Sequence, residues 1–145
     1  MTLTSFDAVI RTESSARKYL QHLCWENGRR FCPRCRSRKT TVQTRDSYQC
    51  HVCGYAFHDF SGRWLNKATL SCGQWLRIVK LYDLGVGPSR VAQEMGLSYH
   101  TVIRIYGIIR ERMAEDCSLN NVGNEMVFDQ VLRKLAEFAP RDARE

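Results

Sequence analysis

CPRCRSRKTTVQTRDSYQCHVC, residues 32–53, decides the fold. Cys32 and Cys35 stand two residues apart, as do Cys50 and Cys53, and fourteen residues separate the pairs. A two-residue spacer lets a tight turn aim both sulfurs at one ion, at about 2.3 Å each, and two such turns complete a tetrahedron. A single pair also suits a redox dithiol; two spaced pairs point to metal. Four thiolates leave no open coordination position, so the expected cofactor is one structural Zn2+ on Cys32, Cys35, Cys50 and Cys53. His51 lies inside the second knuckle and could compete, but four thiolates suffice.

Between the knuckles, residues 40–43 and 47–49 alternate like short strands around an Arg45-Asp46 turn, and residues 55–59 supply a third strand. The large apolar residues here are Phe31, Val42, Tyr48, Tyr55, Phe57 and Phe60. That is too few for unaided folding, and zinc binding worth about 10–16 kcal/mol in small metal-nucleated peptides supplies what the core lacks. Arg29, Arg30, Arg34, Arg36, Arg38, Lys39 and Arg45 crowd the first knuckle and the strand after it, with no acid from 29 to 45. Such density exceeds an ordinary solvated face and suits phosphate contact, carried above all by Arg34, Arg36, Arg38 and Lys39.

The whole-chain balance agrees. The chain has 145 residues, a net charge of +7 and a pI near 9.2. Residues 1–113 hold 18 Lys/Arg against 8 Asp/Glu, and residues 114–145 hold 4 against 7. A basic body with an acidic tail implies a polyanionic partner, most simply double-stranded DNA. At 43% hydrophobic the composition is globular. No signal-peptide pattern and no run approaching the ~18 apolar residues of a membrane span is present. The expected compartment is the cytoplasm, at the bacterial nucleoid, where seven cysteines favour metal ligation over disulfides. Cys24, Cys72 and Cys117 lack a spaced partner and are expected to be plain thiols.

Before the ribbon, residues 1–11 carry no usable signal. A helix then begins at a Thr12 cap, with Ala16, Leu20 and Leu23 on one face, and ends at Gly28. After the ribbon, residues 61–69 read as a linker. Ser71-Cys72-Gly73-Gln74 has the form of a capping box, and Trp75, Ile78, Val79 and Tyr82 follow at helical spacing. A short helix runs from a Ser89 cap to Gly96. Ser98 caps a longer one with Val102, Ile105, Tyr106 and Ile109 buried. Small Ala92 and a left-handed Gly96 have the spacing of a helix-turn-helix. Its third helix would enter the major groove by its N-terminal residues, placing Ser89, Arg90, Tyr99, His100 and Thr101 for phosphate or base-edge contact and Arg104 for a guanine edge. Gly107 costs about 1 kcal/mol of helix propensity and would permit close approach of a backbone. In the acidic tail, Asn124 caps a last helix with Phe128, Val131, Leu132, Leu135 and Phe138 as its stripe, ended by Pro140. That stripe would pack on the body or form a homodimer through residues 124–138.

The expected class is therefore α+β: a four-cysteine zinc ribbon, a three-helix helix-turn-helix unit and a C-terminal helix. Its divisions are 1–28, the helix packed on the ribbon; 29–61, the ribbon; 70–113, the DNA-binding helices; and 114–145, the tail. The order of parts resembles the N-terminal portion of bacterial insertion-sequence transposases. The resemblance rests on Tyr19-Leu20, residues 25–28, Phe31 with CPRC, Tyr48-Gln49 with CHVC, Phe57, Phe60-Ser61-Gly62, Leu70, Trp75 and Gly96-Leu97-Ser98. It spans about residues 12–113. It implies binding of element DNA by this part, followed by an RNase-H-like domain whose acidic residues transfer strands.

The chain departs from that pattern in three places. Arg36 stands where the first knuckle usually has glycine, and residues 62–65 match only loosely. Residues 125–130 resemble the strand bearing the family's first catalytic aspartate, which would be Asp129. Only 16 residues follow it, too few to assemble the carboxylates a metal-dependent strand-transfer site needs. The expected protein is thus not an enzyme. It is a sequence-specific DNA-binding protein acting as a transcriptional regulator. The alternatives are a transposase remnant or DNA-binding subunit of a mobile element, or a zinc-ribbon adaptor binding protein or RNA.

Overall fold

A computed structural model describes residues 3–25, 28–114 and 127–139. The order of elements is α1 (Leu3–Ile10), α2 (Glu13–Cys24), β1 (Thr40–Thr44), β2 (Ser47–Cys50), β3 (Ala56–Phe57), a 3-10 turn (Trp64–Lys67), α3 (Cys72–Asp83), α4 (Pro88–Met95), α5 (Tyr99–Ala114) and α6 (Val127–Ala136). None of the helices is long and apolar enough to cross a membrane, among the described residues.

α2 starts as its sequence dictates. The Ser15 amide donates to Thr12 Oγ1 at 3.0 Å and the Thr12 amide donates to Ser15 Oγ at 3.2 Å, so both ends of the box close. Ala16, Leu20 and Cys24 form its buried face. The helix stops at Trp25, three residues before Gly28, because Trp25 turns extended to insert its ring against Phe31, centroids 5.2 Å apart, and Phe57 at 6.5 Å. This end of the helix and the Gln21–Asp59 bond reach the ribbon, but α2 itself packs chiefly against α1, α3 and α6. α1 was not legible: its burial rests on Phe6, which meets Phe128 edge-on at 5.7 Å. A partner so distant in the chain leaves no local trace.

The sheet is antiparallel in the order β1-β2-β3, with Val42 opposite Tyr48 and Tyr48 opposite Phe57. Tyr48 and Phe57 face the core, whereas residues 41–44 are all exposed, since nothing covers the outer strand.

The stretch 61–69, expected as a linker, is anchored instead. Ser61, Arg63 and Leu65 are buried. The Arg63 guanidinium donates to the carbonyls of Asp59 (3.0 Å), Cys24 (2.9 Å) and Ala136 (2.5 Å), joining the ribbon's end to α2 and α6. The chain leaving α6 pairs with this stretch: the Ala139 amide donates to Gly62 O at 2.8 Å and the Trp64 amide to Glu137 O at 3.2 Å. Buried polar groups must be bonded, and one arginine here satisfies three carbonyls at once.

α3 opens on the expected Ser71–Gln74 box and receives a second cap from Glu13, whose carboxylate accepts from the amides of Cys72 (2.6 Å) and Gly73 (3.1 Å). The start of α4 differs from expectation. Gly87, not Ser89, is the N-cap, because Pro88 at the first helical position has a preset φ and no amide to satisfy. Gly96 closes α4 in the left-handed conformation, φ 65°, and the Thr101 amide donates to Ser98 Oγ at 3.1 Å to open α5. Val102, Ile105, Tyr106 and Ile109 are buried as read, and the Tyr106 hydroxyl donates to Val86 O at 2.8 Å.

Asn124, Cys117 and Pro140 lie outside the described residues. Residues 127–130 form the first turn of α6, not a strand, and Asp129 accepts from the Tyr19 hydroxyl at 3.0 Å. Burial and that carboxylate push the tyrosine up to about 12. Phe128, Val131, Leu132 and Leu135 are 0–1% exposed against α2, α3 and α5. Packing on the body, one of the two uses expected for this stripe, is present, while Phe138 turns away past the helix end to the bridge with Arg63.

Candidate metal centre and basic surfaces

The first knuckle turns at Pro33–Cys35, closed by the Arg36 amide on Cys32 O at 2.8 Å; the second turns at His51–Cys53, closed by the Gly54 amide on Cys50 O at 3.1 Å. The two loops bring the Cys32, Cys35, Cys50 and Cys53 sulfurs within 4.8 Å of one another. Cys32 Sγ lies 3.5 Å from Cys53 Sγ, and Cys35 Sγ 3.5 Å from Cys50 Sγ. A tetrahedron with 2.3 Å Zn–S bonds has edges of about 3.8 Å, so the donor set fits the ion with little adjustment.

Backbone amides reach the Cys32 and Cys50 sulfurs. The Arg34 amide donates to Cys32 Sγ (3.4 Å), and the amides of Val52 (3.3 Å) and Cys53 (3.5 Å) donate to Cys50 Sγ. The Cys53 and Val52 amides hold the Cys50 thiol down to about 6. At Cys35 the Ser37 amide lowers the value, but desolvation and the three neighbouring sulfurs push it up to about 12. With all four sulfurs within 4.8 Å of one another, the set is positioned to bind one structural Zn2+, as its spacing implied. His51 is exposed outside this set. Cys24, held up to about 11 by burial, and Cys72, up to about 12 by burial and then Glu13, are inert thiols.

One residue central to the ribbon escaped sequence reading. Asp59 is wholly buried and accepts from Trp25 Nε1 (2.7 Å), Gln21 Nε2 (2.8 Å) and Arg30 Nε (3.0 Å), with Arg17 at 3.9 Å. It locks the metal-bearing loops onto α2. The available signal was its isolation: it is the lone acid between Asp46 and Asp83, set among aromatic and basic residues.

The basic cluster divides accordingly. Arg30 is spent on Asp59 and on the Tyr48 ring, 4.7 Å away. Arg34, Arg36, Arg38 and Lys39 are exposed. Arg34 lies over Tyr55 at 5.4 Å and Arg36 over Phe138 at 4.5 Å. Arg36 has φ 66°, a left-handed backbone that favours glycine.

On the helical side, Ser89 and Arg90 are exposed on the first turn of α4, and Tyr99, His100, Ile103 and Arg104 are exposed along α5. Tyr99 is 50% and Ile103 42% exposed, large apolar surface left uncovered at the N-terminal half of one helix. Thr101 is half-buried, its hydroxyl 2.7 Å from that of Ser98 in the cap. Arg104 donates one Nη2–H to Lys67 O at 2.9 Å, so the 3-10 turn orients this side chain. A Cβ at Gly107 would meet nothing within 4 Å, so among the described residues no close approach explains that glycine.

Residues 11–56 match the family described as transposase zinc-ribbon domain, a span running from just before α2 to the start of β3. This part of the chain is similar to transposase zinc ribbons. No curated protein and no solved structure matches the chain.

Proposed function

We propose that this chain is a sequence-specific duplex-DNA-binding protein that acts as a transcriptional regulator built on a transposase-type DNA-binding region. In this reading α4 and α5 form a helix-turn-helix. α5 enters the major groove by its N-terminal turns, while Arg38 and Lys39 of the ribbon neutralise phosphates. The observation that carries it is the uncovered N-terminal half of α5, where Tyr99, His100, Ile103 and Arg104 stand exposed beyond the left-handed turn at Gly96. Exposed aromatic, imidazole and guanidinium groups at that end of a second helix are what base-edge reading requires. The transposase zinc-ribbon match supports a nucleic-acid partner for the neighbouring surface. No strand chemistry is assigned to the chain in this reading.

The test is selection from a genomic fragment library, with Arg104→Ala as control. Wild type should retain a small set of fragments with steep salt dependence. Arg104→Ala should lose about 1–3 kcal/mol of discrimination at one base position. Retention no better than bulk DNA would sink the reading.

The same match favours a second reading, the DNA-binding subunit of a mobile element. Retained fragments at element termini would support it; fragments at promoters would support the regulator.

A further inference from the structure

The β1–β2 ribbon has two unlike faces. Tyr48 and Phe57 line the one turned to the core. On the other, Thr41 stands opposite Gln49 and Gln49 opposite Ala56, with Gln43 two residues further along β1. Neither the metal centre nor α5 uses this face. Thr41, Gln43 and Ala56 are exposed, Gln49 is half-buried, and the strip bears no charge. Cations stand at its ends instead. Lys39, whose carbonyl extends the ladder by accepting from the His51 amide at 2.8 Å, is exposed at one end and Arg45 is exposed at the turn. The acid of that turn, Asp46, is paired with Arg17 at 3.4 Å. In the middle, Gln43 Nε2 donates to Gln49 Oε1, and Gln49 Nε2 donates in turn to Gly54 O at 3.4 Å. Gln49 thus steadies the amide of Gln43. Among the described residues, Gln43 Oε1 and its second Nε2–H are left for an outside partner.

That arrangement discriminates among partners. A single strand would find no ring to stack on, since Tyr48 and Phe57 lie on the other face. A second copy joined antiparallel along the edge of β1, centred on Val42, would set Lys39 against Arg45, like charge on like. A surface for phosphates alone would carry its cations in the middle rather than at the ends. Duplex DNA uses everything present. β3 is only two residues long, so most of this face is a two-stranded ribbon. A major groove about 12 Å wide admits such a ribbon, with base edges at its centre and phosphates at its rims. One acceptor and one donor side by side on a glutamine amide are what adenine N6–H and N7 require. We propose that the outer face of this ribbon enters the major groove and that Gln43 reads an adenine there, with Gln49 as its positioning residue. The proposal rests on the duplex-DNA reading of the chain and adds a base contact separate from those of α5.

The test uses the full zinc-loaded chain, selection from a randomised duplex library, and then binding to the selected duplex. Wild type should enrich a site containing an adenine whose preference Gln43→Ala erases and Arg104→Ala leaves in place. Replacing that adenine by 7-deazaadenine, which lacks the N7 acceptor, should weaken wild type about fivefold or more. The same replacement should leave Gln43→Ala unaffected. Gln49→Leu should also lose the adenine preference, whereas Gln49→Glu, which keeps an oxygen for Gln43 Nε2, should retain it. Zinc content should match wild type throughout. A glutamine pair with only a structural role would not tell adenine from its deaza analogue. Full preference retained by Gln43→Ala at every position, or wild type indifferent to 7-deazaadenine at every adenine of the site, would overturn the proposal. A site altered by Arg104→Ala alone sinks this inference and spares the proposed function; no selected site at all sinks both.

Discussion

Arg63 and Asp59 show how much depends on single buried polar groups. Each carbonyl that Arg63 serves was desolvated on folding, and an unsatisfied buried acceptor costs about 1–3 kcal/mol. Arg63→Met keeps the side-chain bulk against Trp25 and Phe138 but orphans all three, so denaturant titration should register a loss of about 3 kcal/mol or more. A loss under about 1 kcal/mol would remove Arg63 from the centre of the fold. His58 supplies a pH signature. Burial, then the Arg17 charge, hold its imidazole below the usual 6.5, and its Nδ1 accepts from the Phe60 amide at 3.1 Å. The unfolded ring binds a proton more readily than the folded one, so this stability is fully present above about 6.5 and is lost as pH falls through that value toward the lower folded one. Urea titrations at pH 7.5 and 5.5 with zinc saturating should show a drop for wild type that His58→Asn reduces. An equal drop in both proteins would assign the effect elsewhere.

Elements differ in how far their own residues account for them. α3 and α5 carry their caps and apolar periods locally, and both stand where those signals put them. The ribbon depends on its ion: zinc organises the knuckles, while the side chains of Trp25, Phe31, Tyr48 and Phe57 make a modest core beneath. Chelation should therefore abolish amide hydrogen-exchange protection across residues 40–57 and leave α3 and α5 protected, as should Cys32→Ser. Protection lost equally throughout would mean that the helices also depend on the metal. α4 and the stretch after the ribbon show the limit of local signals. Ser89 looks like a cap, but Pro88 fits the first helical position so well that the helix begins two residues earlier. Residues 61–69 look like a connection because their binding partners, the carbonyls at Cys24 and Ala136, are remote in sequence.

For the whole molecule, α6 is the closing piece. Its four fully buried side chains, Phe128, Val131, Leu132 and Leu135, contribute about 1.5–3 kcal/mol each as an upper estimate, comparable to the entire stability of a small protein, about 5–15 kcal/mol. A chain ended after Met113 should accordingly lose its cooperative thermal transition in calorimetry. A sharp transition retained by that shortened chain would show the tail to be dispensable.

The metal ligands, the capped helices and the left-handed turn at Gly96 follow from sequence alone, because each depends on residues within a few positions of one another: sulfurs on a tight turn, a hydroxyl three residues from an amide, a glycine free of Cβ. The partnership of Asp59 with α2, the threefold role of Arg63 and the inward face of α6 required tertiary structure, because each joins groups tens of residues apart whose meeting is dictated by burial. Residues 32–53 thus specify a zinc clamp by themselves. What the clamp is pressed against, and that Arg30 is turned inward to Asp59, depended on where the rest of the chain came to lie.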